Sequence, residues 1–205
     1  MSATPAVRHV PRLLLLVAAL CVPVVAHAGT PDATASRLVV TENGETHRLL
    51  LTGEAERNFL FFRVYAIAHY AEPSASRSLD SPAAVLADGS AKALVITFAR
   101  TLRAGRIRNE LATSLRRNAR AGWIERAAAS IDRFLGAIDR DARSGDRVVY
   151  YWLPGGRLIA EFNGERFFSA VDPAFARLLW AIWFGDDPVV DQEALLARIA
   201  AAGQA

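Results

Sequence analysis

The amino-acid sequence predicts an α+β fold, a large antiparallel sheet covered on one face by a layer of helices, and three observations carry that expectation. Short β-rich runs are joined by Asn-Gly and Gly-Gly dipeptides, which close tight hairpins because they tolerate positive φ. Amphipathic segments follow these strands in blocks rather than alternating with them one for one. Neighbouring strands are therefore joined by turns and not by crossover helices, which separates this pattern from a parallel α/β sheet.

The first 28 residues stand apart from that pattern. MSATPAVRHVPR carries Arg8 and Arg12, Leu13 to Val25 is too short to span a bilayer comfortably, and Ala26-His27-Ala28 supplies a small-x-small cleavage site. The expectation is a signal peptide over 1–28, cleaved after Ala28, followed by a single domain over 29–205 that works in the periplasm. Cys21 follows the apolar run, but Leu20 before it is too large for the usual lipobox.

Removing Arg8 and Arg12 from the 24 basic residues leaves 22 against 21 acidic ones, so the domain is nearly neutral and no nucleic-acid partner is expected. Cys21 is the only cysteine of the chain. The domain then has no disulfide, no iron–sulfur ligand and no thiol nucleophile, and a core must hold it together.

Arg37 to Thr41 and Thr46 to Leu51 flank Asn43-Gly44 and form a first hairpin. Phe59 to Tyr70 reads as one long strand. Ser81-Pro82 supplies an N-cap and first turn for a short helix ending near Gly89, and Ala93 to Phe98 returns to strand. From Ala104 to about Asn118, Ile107, Leu111 and Leu115 recur at four-residue spacing, which lines one helix face while arginines occupy the other. A second helix turns Ile124, Ile131, Leu135 and Ile138 inward. RVVYYWL, RLIAEF and ERFFSAV, separated by Gly155-Gly156 and Asn163-Gly164, form a three-stranded meander. Asp172-Pro173 caps a third helix that stops at Gly185, and Asp191 caps the last, to about Ala201.

Signatures of known chemistry are absent: no Gly-x-Ser-x-Gly elbow, no His-Glu-x-x-His and no phosphate-binding glycine loop. With His47 and His69 as the only histidines after residue 28, neither a metal nor another cofactor is expected. The stretch from Arg100 to Arg120 holds seven arginines against Glu110. It reads as a solvated helix face, with peripheral membrane contact as its other use. Trp180 and Trp183 form an aromatic stripe that belongs to the core.

The long strand asks for more than a core. Alternation places Leu60, Phe62, Val64, Ala66, Ala68 and Tyr70 on one face, and Phe59, Phe61, Arg63, Tyr65, Ile67 and His69 on the other. An arginine or tyrosine among large apolar groups needs a partner, either an internal carboxylate or a bound anion.

The pattern Leu51-Thr52-Gly53-x-Ala55-x-Arg57, then FLFFRVYAIAHYAEP, ALVITFARTL, GDRVVYYWLPGGRLIAEFNGERF and LLWAIWFGDDPVVDQEALLARI, resembles the bacterial branch of the chalcone isomerase-like family over nearly all of 29–205. The resemblance implies an open-faced β-sandwich with a ligand cleft between sheet and helices. Members divide into isomerases that close a chalcone to a flavanone and non-catalytic relatives that include fatty-acid binders. The resemblance implies that Arg57 faces the cleft and that Tyr65 stands where the binders have a tyrosine and the isomerases a threonine. The isomerases also use a tyrosine from the helix after the next strand; here none occurs between Tyr70 and Tyr150, and Gly53-Glu54-Ala55 departs from the usual Gly-x-Gly.

The resulting expectation is a cofactor-free, non-catalytic periplasmic binder of a small hydrophobic carboxylate, a fatty acid or acyl compound, held by Arg57 and Tyr65, with Arg63 and His69 as further candidates on the face of Tyr65. Two alternatives use the same fold: a lyase or isomerase in which Arg57 stabilises an oxyanion, and an interaction protein whose cleft is closed. On one straight strand, Arg57 and Tyr65 lie roughly 26 Å apart at about 3.3 Å per residue. They meet one carboxylate only if the chain bends or bulges near Asn58.

Overall fold

The hairpins form where the turn residues mark them. β1 (Arg37–Glu42) and β2 (Glu45–Phe59) are joined by Asn43 and Gly44 at φ 51° and 83°. β5 (Arg147–Leu153), β6 (Arg157–Phe162) and β7 (Glu165–Val171) turn through Gly155-Gly156 and Asn163-Gly164, all at positive φ. Between these groups lie β3 (Phe62–Ala71) and β4 (Lys92–Phe98). All seven strands pair antiparallel in one sheet whose spatial order equals their order in the chain.

This computed structural model describes residues 35–76, 79 and 81–202. The expected signal peptide, its cleavage site and Cys21 lie outside the described residues.

Helices are added in blocks. Two short ones, α1 (Pro73–Ser76) and α2 (Pro82–Val85), precede β4. α3 (Ala104–Asn118) and α4 (Trp123–Gly136) separate β4 from β5, and α5 (Pro173–Phe184) follows β7. The α5 start has a full cap: Asp172 Oδ1 accepts the Phe175 N–H at 3.0 Å, while Asp172 Oδ2 accepts the Ser130 hydroxyl at 2.5 Å and ties α4 to α5. α5 is apolar nearly all round and is correspondingly buried, the state such a helix requires.

Both faces of the sheet are apolar. On one, Ile67, Ile96, Tyr150 and Trp152 pack under Leu115, Phe134, Phe175, Trp180 and Trp183 of the helices. On the other, Leu38, Leu49, Tyr70, Val95, Tyr151 and Ile159 form a second cluster. The sheet curls across that face, for Glu42 of β1 reaches Arg166 of β7 at 2.8 Å and Arg157 of β6 at 3.5 Å. Each large buried side chain contributes roughly 1.5–3 kcal/mol, so the two clusters account for a domain without disulfides.

Two elements differ from the sequence reading. The run from Phe59 to Tyr70 is not one strand: β2 ends at Phe59, the chain reverses through Leu60 and Phe61, and β3 begins at Phe62. Leu60 adopts φ 54°, unusual for a branched apolar residue. The last helix also starts later than expected. Asp191 Oδ1 accepts the N–H groups of Glu193 and Ala194 at 3.0 and 3.1 Å, which opens a 3₁₀ turn (Ala194–Leu196) that runs into α6 (Ala197–Ala202).

A bulge in β2 decides which way the second half of that strand faces. Leu51 pairs with Tyr70 and Gly53 with His69, so Thr52 is an extra residue. Before it, Leu49 and Leu51 point to the face away from the helices; after it, Ala55 packs on the helix side and Arg57 and Phe59 line a cleft there. One inserted residue moves the rest of the strand from one face to the other.

Candidate functional site: a cleft between sheet and helices

The bulge at Thr52 turns Arg57 toward the helices, and the hairpin at Leu60-Phe61 brings Tyr65 back opposite it. The two are direct cross-strand partners in the β2–β3 register. A second shift follows at once, because Asn58 pairs with Arg63 and leaves Val64 as the extra residue on β3. A reversal of the chain at Leu60-Phe61, rather than a bend in one long strand, brings the two residues opposite each other.

Arg57 is half-buried, and its Nη1 donates to the Val189 carbonyl at 2.9 Å. Neighbouring arginines pair with acids, Arg63 with Glu56 and Arg198 with Glu54, but Arg57 is in no ion pair among the described residues. Its remaining N–H groups are available on the cleft side. Tyr65 accepts a hydrogen bond from Trp183 Nε1–H at 3.1 Å, so its own O–H is left to donate elsewhere. Burial pushes the Tyr65 phenol up to about 12, with Trp183 and the Arg57 charge pulling the other way. The group is a neutral donor near neutral pH.

Apolar side chains complete the cleft. Phe98, Leu102, Ile107, Leu111 and Ile182 line a volume of about 130 Å³, with Arg106 and Glu110 one turn apart on α3 at its rim. Phe98, Ile107 and Tyr150 also wall a second cavity of about 40 Å³ that continues toward α4, lined by Ile138, Phe162 and Phe167. The roof helix α3 is tethered near both ends. The Ala104 N–H reaches Asp141 Oδ1 at 2.8 Å, and Asn118 exchanges two hydrogen bonds with the Asp187 backbone at 2.9 and 3.0 Å.

The floor is fixed by a close crossing. A Cβ at Gly53 would lie 2.2 Å from the Ala194 carbonyl oxygen, so the absence of a side chain lets the C-terminal segment lie directly on β2. That segment carries Val189, the partner of Arg57.

The other two candidates lie elsewhere. Arg63 is at the surface, paired with Glu56 at 2.8 Å. His69 is fully buried under Phe184, at 4.8 Å between rings. Its Nδ1 is 2.6 Å from Thr52 Oγ1, which lies 2.8 Å from the Leu195 carbonyl. The coherent arrangement has Nδ1–H donating to Thr52 and the Thr52 hydroxyl donating to Leu195. Burial, and secondarily the Lys92 charge, lowers the His69 pKa to about 3. His69 thus locks the bulge that orients Arg57 and does not line the cleft.

Tyr150 is the cleft residue that sequence reasoning missed. It stands on β5, buried, with its ring 6.0 Å from Trp183; burial and the nearby Tyr65 phenol push its ionisation up. Alternation along RVVYYWL could not single it out, because every residue of that strand is buried. Among the described residues, no group of three or more His, Cys, Asp or Glu is placed to hold a metal ion.

A curled antiparallel sheet with a helical layer, and an apolar cleft between them, defines an open-faced sandwich. The family model for chalcone isomerase-like proteins matches residues 35–197, and the chain belongs to that family. Among solved structures, a fatty-acid binding protein of Arabidopsis thaliana is similar in fold, with a TM-score of 0.59 at 14% identity, over 82% of this chain and 98% of that one. No curated protein matches the chain by sequence.

Proposed function

We propose that this protein is a non-catalytic binder of a hydrophobic carboxylate, a fatty acid or similar acyl compound, acting in the periplasm to which residues 1–28 would direct it. The observation that carries this reading is Arg57 opposite Tyr65 at an apolar cleft, with no acidic partner for the guanidinium among the described residues. A carboxylate placed there accepts a charge-assisted hydrogen bond from Arg57 and a second from the Tyr65 hydroxyl. Such bonds to charged groups are worth about 1.5–3 kcal/mol each. No cofactor takes part.

The tail follows from the walls. About 130 Å³ holds a headgroup and the first few carbons, whereas pockets for drug-sized ligands occupy roughly 300–1,000 Å³. A longer chain passes Ile107 and Tyr150 into the cavity beyond, which requires those side chains to turn aside. The fatty-acid binding protein with a similar fold supports the ligand class.

The test is native mass spectrometry with lipid extraction on protein recovered from its own compartment, comparing wild type with Arg57→Ala and Tyr65→Phe. A co-purifying acyl carboxylate lost in Arg57→Ala is the expected result. An empty wild type that also refuses added fatty acids would sink the reading.

One observation favours a second reading. Tyr150 faces the cleft beside Tyr65, so two phenols and a guanidinium converge where an oxyanion could develop, as in an intramolecular lyase or isomerase. Turnover of a chalcone or other acyl substrate that vanishes in Arg57→Ala would establish it.

A further inference from the structure

The β2–β3 hairpin projects beyond the strands that flank it. β1 pairs with β2 only over 45–50, and β4 pairs with β3 only from Tyr65 onward, so the segment around 58–64 is a two-stranded arm. Four large apolar residues form its end: Phe59 is 53% exposed, Leu60 76%, Phe61 97% and Phe62 62%. Scattered exposed apolar residues are ordinary, but four in succession on a projecting turn are not. The β1–β2, β5–β6 and β6–β7 hairpins, by contrast, are closed by Asn-Gly or Gly-Gly turns.

Two arginines lie beside this tip. The Arg100 guanidinium lies 5.6 Å over the Phe62 ring, and Arg106 lines the cleft mouth together with Phe59. Arg100, Arg103 and Arg106 are exposed, and none is in an ion pair among the described residues. The acid nearest in the hairpin, Glu56, is taken up by Arg63. An apolar wedge flanked by arginines that are in no ion pair among the described residues matches a bilayer interface with anionic headgroups: the rings enter the acyl boundary and the guanidiniums stay at phosphate level.

We infer that the Leu60-Phe61 tip inserts into the surface of an anionic phospholipid membrane, with Arg100 and Arg103 on the headgroups, and so holds the mouth of the cleft against the bilayer. A protruding wedge suits a fluid surface that closes around it. Phe59 belongs both to the tip and to the cleft wall, so the inserted arm is continuous with the path by which an acyl group would enter. The docking itself does not depend on what the cleft takes.

The test is pelleting of the purified full chain, as it is recovered from expressing cells, with sucrose-loaded vesicles. Vesicles of phosphatidylcholine alone are compared with vesicles containing about 30% phosphatidylglycerol, whose negative surface potential attracts basic residues. Leu60→Ser/Phe61→Ser removes the wedge, Arg100→Gln/Arg103→Gln removes charge, and Val171→Ser changes an exposed apolar residue far along the chain. All share one N-terminus, so any contribution from it is common to the set. Expected are binding to the anionic vesicles, a loss of about tenfold or more in the wedge variant, a smaller salt-sensitive loss in the charge variant and none in Val171→Ser. Wild type that stays in solution, or a wedge variant that binds as well as wild type, overturns the inference. So does a stable dimer in sedimentation that the wedge variant abolishes, which would assign the tip to a second copy of the chain. Fatty-acid uptake measured without vesicles reads the cleft separately.

Discussion

Arg57 and Tyr65 face each other across an antiparallel pair, although eight positions separate them and every residue between them but Asn58 and Arg63 is apolar. The ligand contribution of each then follows from its chemistry. Arg57→Ala removes a charge-assisted bond and weakens fatty-acid binding by about 10–150-fold, the equivalent of roughly 1.5–3 kcal/mol. Tyr65→Phe removes the second bond to the charged carboxylate and costs a comparable factor, about 10–150-fold. Calorimetry on both single variants and the double variant checks this, and their effects should fall short of additivity because one carboxylate serves both.

Ile107 stands between the cleft and the cavity behind it. Ile107→Phe narrows that passage while leaving the Arg57–Tyr65 pair in place. Short acyl carboxylates should bind within a factor of about two of wild type, and long ones should lose on the order of tenfold or more, as overpacking costs about 1–3 kcal/mol. Displacement titrations across a chain-length series measure the split. Equal loss at every length would place the tail elsewhere.

Gly53→Ala tests the crossing of the C-terminal segment over β2. The added Cβ meets backbone at 2.2 Å, and backbone cannot swing aside as a flexible side chain can. A destabilisation of about 1–3 kcal/mol is expected from overpacking, read as a lower urea midpoint at unchanged slope. Arg57 loses its Val189 partner if the segment lifts, so fatty-acid affinity should fall as well.

His69 makes stability depend on acid. Its folded pKa of about 3 lies below the unfolded value of about 6.5, so between these values the unfolded chain holds a proton that the native state refuses. The contribution is complete above about pH 6.5 and declines as pH falls toward 3, at up to about 1.4 kcal/mol per unit. Denaturation midpoints from pH 7.5 to 4.5 should fall more steeply for wild type than for His69→Gln. In wild type, NMR of the His69 ring should show no protonation down to about pH 4; protonation near 6.5 would refute the shift.

Much of the architecture could be read without coordinates, because turn chemistry and periodicity agree with the final structure over most of the chain. Asn43-Gly44, Gly155-Gly156 and Asn163-Gly164 all turn at positive φ, and α3 runs from Ala104 to Asn118 as its four-residue apolar spacing indicates. The hairpin at Leu60-Phe61 escaped notice because its turn is built from Leu and Phe, the residues of a buried strand. The bulge at Thr52 is marked only by the neighbouring Gly53, and it decides on which face Arg57 emerges. Alternation marks Tyr65 and family resemblance adds Arg57; Tyr150 lies in a strand buried on both sides, where alternation carries no information. His69 and Arg63 share sequence parity with Tyr65 but not its surroundings, since the Val64 bulge breaks the parity for one and the Thr52 contact claims the other.

The identity of chain order and sheet order bears on how the molecule assembles. Every strand pairs with the strand made just before it, so most ladders close over short separations, and the loop-closure cost is concentrated in the α3–α4 excursion between β4 and β5. The groups that contact Arg57 and Tyr65 come late in the chain, however: Trp183 lies in the last turn of α5, and Val189 lies beyond it. A chain ending at β7 would own all seven strands and both side chains, yet lack the Val189 carbonyl and the Trp183 indole that they contact. The Arg57–Tyr65 pair is therefore complete only when the C-terminal segment is present, whereas the sheet is complete without it.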